Sequence, residues 1–224
     1  MTKTHSAMTD ELRRAAGAVS GAGLSDAFGH VSIRTRDGLR ITPPIPLSEA
    51  ALGGDPIDLR IDDGDLPPGA PLEGWLHVAI AASHSSVGAV VRAQPPAIAA
   101  LASLGRDLPI LSGHAAMLHG VHLHRSSLLV RDRASAEKIV ADAGEAKAIV
   151  LRGNGAITLG STLAEAVARM WVLERSARLA LDAWAAGDPE PLPVEESLWW
   201  EGRADELLPR IYRYLVRMEG NNHD

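Results

Sequence analysis

Residues 87–97 read VGAVVRAQPPA. The unbroken apolar run from Val87 has the character of a buried strand, and Pro95 and Pro96 suit the first turn of a following helix, AIAALASLG. Working toward the N-terminus, Leu72 opens a helical spacing that continues to about Ser83. Before it, Pro43 to Pro71 carries half of the prolines and reads as surface loop, with one short strand candidate at IDLRI. HVSIRT and LRIT flank Asp37-Gly38 and predict an antiparallel hairpin. Thr9 and Asp10 precede a helix in which Leu12, Ala15, Ala16 and Val19 share a face.

Toward the C-terminus, MLHGVHLH reads as a strand segment, ASAEKIVADAG as a helix, and AIVLRG and AITLG as two buried strands around a tight Gly153-Asn154-Gly155 turn. The longest helix is predicted from Thr162 to about Ala186, with Ser161 or Thr162 as cap and Glu165 placed for a capping box. GDPEPLPVEES then reads as a linker, and Leu207, Leu208, Ile211, Tyr214, Leu215 and Met218 share one face of a last helix over 204–218. Strands joined by hairpins as well as helices predict a mixed sheet flanked by helices, not a pure βαβ series.

The chain has 224 residues, which suits a single domain over 1–224 with a helical extension at about 188–218. A net charge of −6 and the absence of any Lys/Arg block argue against nucleic acid as a partner. There is no cysteine, so thiolate metal sites and thiol nucleophiles are excluded. Residues 1–24 lack the continuous apolar core of a signal peptide, and no run of about 18 apolar residues exists to span a bilayer; a cytoplasmic protein without membrane association is expected. No glycine-rich phosphate loop follows any strand.

GLSDAFGHVSIR (Gly23–Arg34), LEGWLH (Leu72–His77), VGAVVRAQPPA (Val87–Ala97) and VLRGNGAITLG (Val150–Gly160), in that order, resemble the class II aldolase/adducin family over most of the chain. The resemblance implies an α/β fold, a three-layer α/β/α sandwich around a mixed, mainly antiparallel sheet, assembled as a homo-oligomer, most simply a homotetramer. It also implies a divalent metal, held by a His-x-His at the end of the Val87 strand and a third His in the glycine-rich turn. Here those positions are Arg92, Gln94 and Asn154. A guanidinium has no lone pair to offer, and amide oxygens are weak donors for a borderline ion. No metal and no other cofactor is therefore expected.

The GHVSIR form and the EGWLH block are closer to the branch containing decarboxylases of hydroxylated aromatic or pyridine dicarboxylates. The expected function is a metal-independent lyase for a carboxylate-bearing small molecule; the alternative is a non-catalytic scaffold or the partner subunit of an active paralogue. Glu73 matches the family's acid/base carboxylate, His77 lies one turn on, and Arg92 is the substitute electrophile, so these three are the catalytic candidates. His30, Ser32, Gln94 and Asn154 are the substrate-binding candidates. Plainer readings stand beside them: Glu73 as a helix-terminal carboxylate or as an ion-pair partner of Arg92, His77 as a core histidine, His30 and Ser32 as turn residues. His119, His122 and His124, with His114 nearby, offer a displaced metal site, against a reading as half-exposed strand histidines.

Overall fold

A computed structural model describes residues 4–221; the first three residues of the leader reading above lie outside the described residues. The elements are α1 (His5–Gly21), β1 (His30–Arg34), β2 (Gly38–Ile41), α2 (Leu47–Leu52), β3 (Ile57–Arg60), α3 (Gly74–Ser83), β4 (Ala89–Ala93) and α4 (Pro96–Ser103). Then come α5 (Gly113–Ala116), β5 (Val121–His124), α6 (Arg133–Ala143), β6 (Ala148–Leu151), β7 (Ala156–Gly160), α7 (Leu163–Ala186), α8 (Val194–Glu201) and α9 (Ala204–Asn221). The strands form one seven-stranded sheet in the order β3-β2-β1-β4-β7-β6-β5. Only the β5–β6 pairing is parallel, so the sheet is mixed and mainly antiparallel.

Period-2 alternation gives each face of this sheet its own core. Ala89, Val91 and Ala93 of β4 join side chains of α1, α2, α4, α7 and α9 in one cluster. Val90 turns the other way, into a cluster with Trp75, Leu76 and Ile80 of α3 and Ile139 and Val140 of α6. The result is the expected α/β/α sandwich, in which each fully buried aliphatic side chain contributes roughly 1.5–3 kcal/mol.

Four local readings are corrected, the first being that the Pro43–Pro71 segment read as loop contains α2, with Leu47 and Ala50 buried. Helix α1 begins before Thr9, because Thr4 is its cap and accepts from the Ala7 amide. The segment read as a linker from Gly187 is helical over its second half, α8, where the Trp200 ring packs so closely on Gly113 that a Cβ there would lie 2.2 Å from it. Met117 to Gly120 are not strand; β5 starts only at Val121. Helix α7 begins as expected, with the Thr162 hydroxyl accepting from the Glu165 amide and Glu165 accepting from the Ser161 amide. No helix among the described residues is long and apolar enough to cross a membrane.

Candidate active site

Strand β4 carries Arg92 on the same face as Val90, facing the α3 layer, and β1 lies beside it with His30 opposite Arg92 and Ser32 opposite Val90. Glu73 is the N-cap residue of α3, and Asn154 sits in the β6–β7 turn. That turn is pressed against the end of β4: Gly155 adopts φ +81°, and a Cβ there would come within 2.2 Å of the Ala93 carbonyl oxygen. A larger residue would push Asn154 away from Arg92.

These elements converge on a polar cluster. Arg92 Nη2 donates to Asn154 Oδ1 at 2.7 Å, to the Asn154 carbonyl at 3.1 Å and to Glu73 Oε1 at 3.1 Å. Its Nε lies 3.0 Å from Glu73 Oε2, and Asn154 Nδ2 donates to Glu73 Oε1 at 2.9 Å. Arg92 is 1 % exposed, yet Nη1 has no hydrogen-bond acceptor among the described residues, and Nε meets Glu73 as an ion pair without hydrogen-bond geometry. Burial lowers the Arg92 pKa, and the Glu73 carboxylate opposes that shift.

Arg92, Glu73, Asn154, His30 and Gln94 line one cavity of about 410 Å3, within the range of small-ligand sites. His77 and Ser32 do not line it. They are fully buried behind it, bonded to each other through Ser32 Oγ and His77 Nδ1 at 2.8 Å, and His77 sits edge-on to His30 with ring centroids 6.4 Å apart. Glu73 and His77, one turn apart in sequence, do not bond each other, because Glu73 stands at the helix cap, turned toward Arg92. Burial, followed by the Arg92 charge, holds the His30 pKa down to about 4; burial drives that of His77 well below its ordinary value. Both rings are neutral at pH 7.

Sequence reading missed part of the cavity. Phe28, Leu72 and Leu129 supply an exposed apolar rim, and Arg131 adds a second guanidinium with no ion-pair partner among the described residues. Loop residues beyond β5 carry no motif that would have flagged them. Arg34, by contrast, is a motif residue that proves structural: it donates to the carbonyls of Ala81, His84 and Val87 and closes the C-terminal end of α3.

A divalent ion does not fit this cluster. Asn154 Oδ1 and both Glu73 oxygens already face Arg92, whose nitrogens are donors only. The strand histidines make no metal centre either, since no group of three or more His, Cys, Asp or Glu among the described residues is placed to hold an ion. His119 instead pairs with Glu201 of α8 at 2.9 Å, and His122 and His124 lie half-buried on the edge strand.

The sequence profile of the class II aldolase and adducin N-terminal domain matches residues 10–181. A 3,4-dihydroxyphthalate decarboxylase of Terrabacter sp. (strain DBF63) is 34 % identical across 78 % of this chain and 80 % of its own length. A protein of the same name from Arthrobacter keyseri is 27 % identical across 82 % of each chain. Among solved structures, an L-fuculose 1-phosphate aldolase from Glaciozyma antarctica PI12 superposes with a TM-score of 0.78 at 21 % identity, over 99 % of this chain and 94 % of that one. An aldolase II superfamily protein from Pseudomonas syringae gives 0.80 at 22 % identity, over 99 % and 95 %.

Proposed function

This chain belongs to the class II aldolase/adducin family, and we propose that it is a metal-independent lyase that decarboxylates a hydroxylated aromatic carboxylate. The observation that carries the reading is Arg92: a buried guanidinium, held rigid by Glu73 and Asn154, lining a ligand-sized cavity with Nη1 still lacking an acceptor. An unfilled charged donor costs stability unless a ligand or water completes it, and a carboxylate matches its planar fork. The decarboxylase relatives supply the substrate class.

In this reading a substrate carboxylate approaches Arg92 and the Gln94 amide, Arg131 meets a second anionic group, and Phe28, Leu72 and Leu129 cover the ring. When the carbon–carbon bond breaks, its electron pair passes into the ring and onto the hydroxyl oxygen, and fixed positive charge stabilises that oxyanion. Glu73 is then a positioning residue for Arg92; its oxygens are occupied, which favours this role over proton transfer. We place the active form as a homotetramer, in which a neighbouring subunit covers the apolar rim; a monomeric mass by light scattering would refute this.

The test is direct: 3,4-dihydroxyphthalate should raise the melting temperature and be converted with release of carbon dioxide by metal-stripped protein. Neither effect, from this probe or from related hydroxy acids, would leave the scaffold reading. That reading is favoured by one observation, the Arg92–Glu73 ion pair itself.

A further inference from the structure

With Glu73 committed to Arg92, a proton carrier must be sought among the other cavity groups. Arg92 and Arg131 hold their protons too firmly to serve, and His77 does not reach the cavity. His30 remains. It is the first residue of β1, fixed opposite Arg92 by the strand register, and it is 8 % exposed. Its Nδ1 is sealed and unpartnered. Its Nε2 has no partner among the described residues either, but is not sealed, so this is the nitrogen that opens to the cavity. The ring is backed by His77, which Ser32 in turn holds.

We propose that His30 is the catalytic proton carrier: Nε2 takes the hydroxyl proton of the bound hydroxy acid and returns it to the ring carbon from which carbon dioxide leaves. The assignment rests on the decarboxylase reading above and deepens it. In the first step the O–H bond breaks and an N–H bond forms, leaving a phenolate. The ring carbon ortho or para to that oxygen and bearing the carboxylate then takes the proton from Nε2. The carbon–carbon bond breaks, its electron pair restores the aromatic ring, carbon dioxide departs, and water reprotonates the phenolate, leaving hydroxide. Atoms and charge balance without an oxidant or a cofactor.

The surroundings suit both transfers. The groups that face His30 are Arg92 on β4 and His77 on α3, one cationic and one neutral, so the imidazole rests neutral, and Arg92 offsets its weak basicity by stabilising the phenolate formed when it takes the proton. Once protonated beside Arg92 it is a stronger acid than a free imidazolium, which favours delivery to carbon.

The experiment compares wild type with His30→Gln and His30→Asn, using 3,4-dihydroxyphthalate for carbon dioxide release and its catechol monocarboxylate product for ring-hydrogen exchange in D2O. Exchange reads the proton step alone. Each variant should lose at least ~10²-fold in kcat with KM within about threefold of wild type, and should lose exchange, while melting within a few degrees of it. Added imidazole should restore part of the rate. A folded variant that keeps kcat and exchange overturns the assignment, as does a loss confined to KM; if one variant fails to fold, the other is judged. A wild type that binds the probe but neither releases carbon dioxide nor exchanges the ring hydrogen overturns the decarboxylase reading itself, and the role of His30 with it.

Discussion

Two buried arginine–glutamate pairs brace the two sides of this molecule and, on the function proposed above, serve different ends. Arg169 and Glu165 are one turn apart on α7, with side chains 6 % and 13 % exposed. Arg169 Nη1 donates to the Leu159 carbonyl at 2.7 Å, and Glu165 caps its own helix through the Ser161 amide and hydroxyl. Arg92 and Glu73, at 2 % and 15 %, are equally buried, but they come from a strand and a helix cap and stand in the wall of a cavity. Arg169 does not line that cavity. Burial alone therefore does not mark a site; the mark is a charge fixed by its neighbours where a ligand can reach it.

The sharpest break between the pairs should appear in stability. Arg169→Ala removes the ion pair to Glu165 and the donor to the Leu159 carbonyl, and should cost ~3–5 kcal/mol in urea unfolding while kcat per folded molecule stays near wild type. A comparable loss of kcat would make both pairs functional and erase the contrast. Acid should act on the cavity side. Unfolded chain binds protons at histidine below pH 6.5, whereas folded His30 refuses them until about pH 4. Stability should thus be intact above pH 6.5 and fall by about 3 kcal/mol as pH drops through that window, at about 1.36 kcal/mol per pH unit. His30→Asn should flatten the decline, leaving the share due to His77; an unchanged slope refutes the burial argument.

Arg92→Ala should weaken binding of a carboxylate ligand by ~1.5–3 kcal/mol, about ten- to a hundredfold in Kd by calorimetry. It should also melt less far below wild type than Arg169→Ala, because cavity water reaches the Glu73 left behind. The reverse order of melting with unchanged binding would favour the scaffold. The smallest effect expected is none: elemental analysis should find far less than one zinc, manganese or iron per chain, and a chelator should leave the melting curve unmoved. A stoichiometric metal lost on mutating Glu73 would defeat the arginine substitution.

The sheet and the long helix were legible because their signals are local: strand runs bounded by glycine turns, and a capping box at Ser161–Glu165. Helix α8 was not, since Pro191, Pro193 and two acidic residues imitate a linker, and what stabilises the helix is Trp200 against a distant Gly113. In the site, Arg92, Gln94 and Asn154 could be named from the motif alone, and all three line the cavity. Which partner Glu73 chooses was not, because one-turn adjacency holds inside a helix and Glu73 stands at its cap. Arg131 and Leu129 belong to a loop whose sequence is unremarked until folding brings it to the cavity.

The position of β4 also governs when the cavity can form. Its neighbours are β1, which precedes it by a long stretch of chain, and β7, the last of the seven strands in chain order. Both pairings join residues far apart in sequence, so their loops must close before either contact is gained, and such sheets fold slowly. During synthesis Arg92 emerges well before Asn154 and must wait for it. A nascent chain halted before Gly153 would hold the arginine and its glutamate without the turn that pins them, so the pocket arrives late, with the turn and the strand that close the sheet.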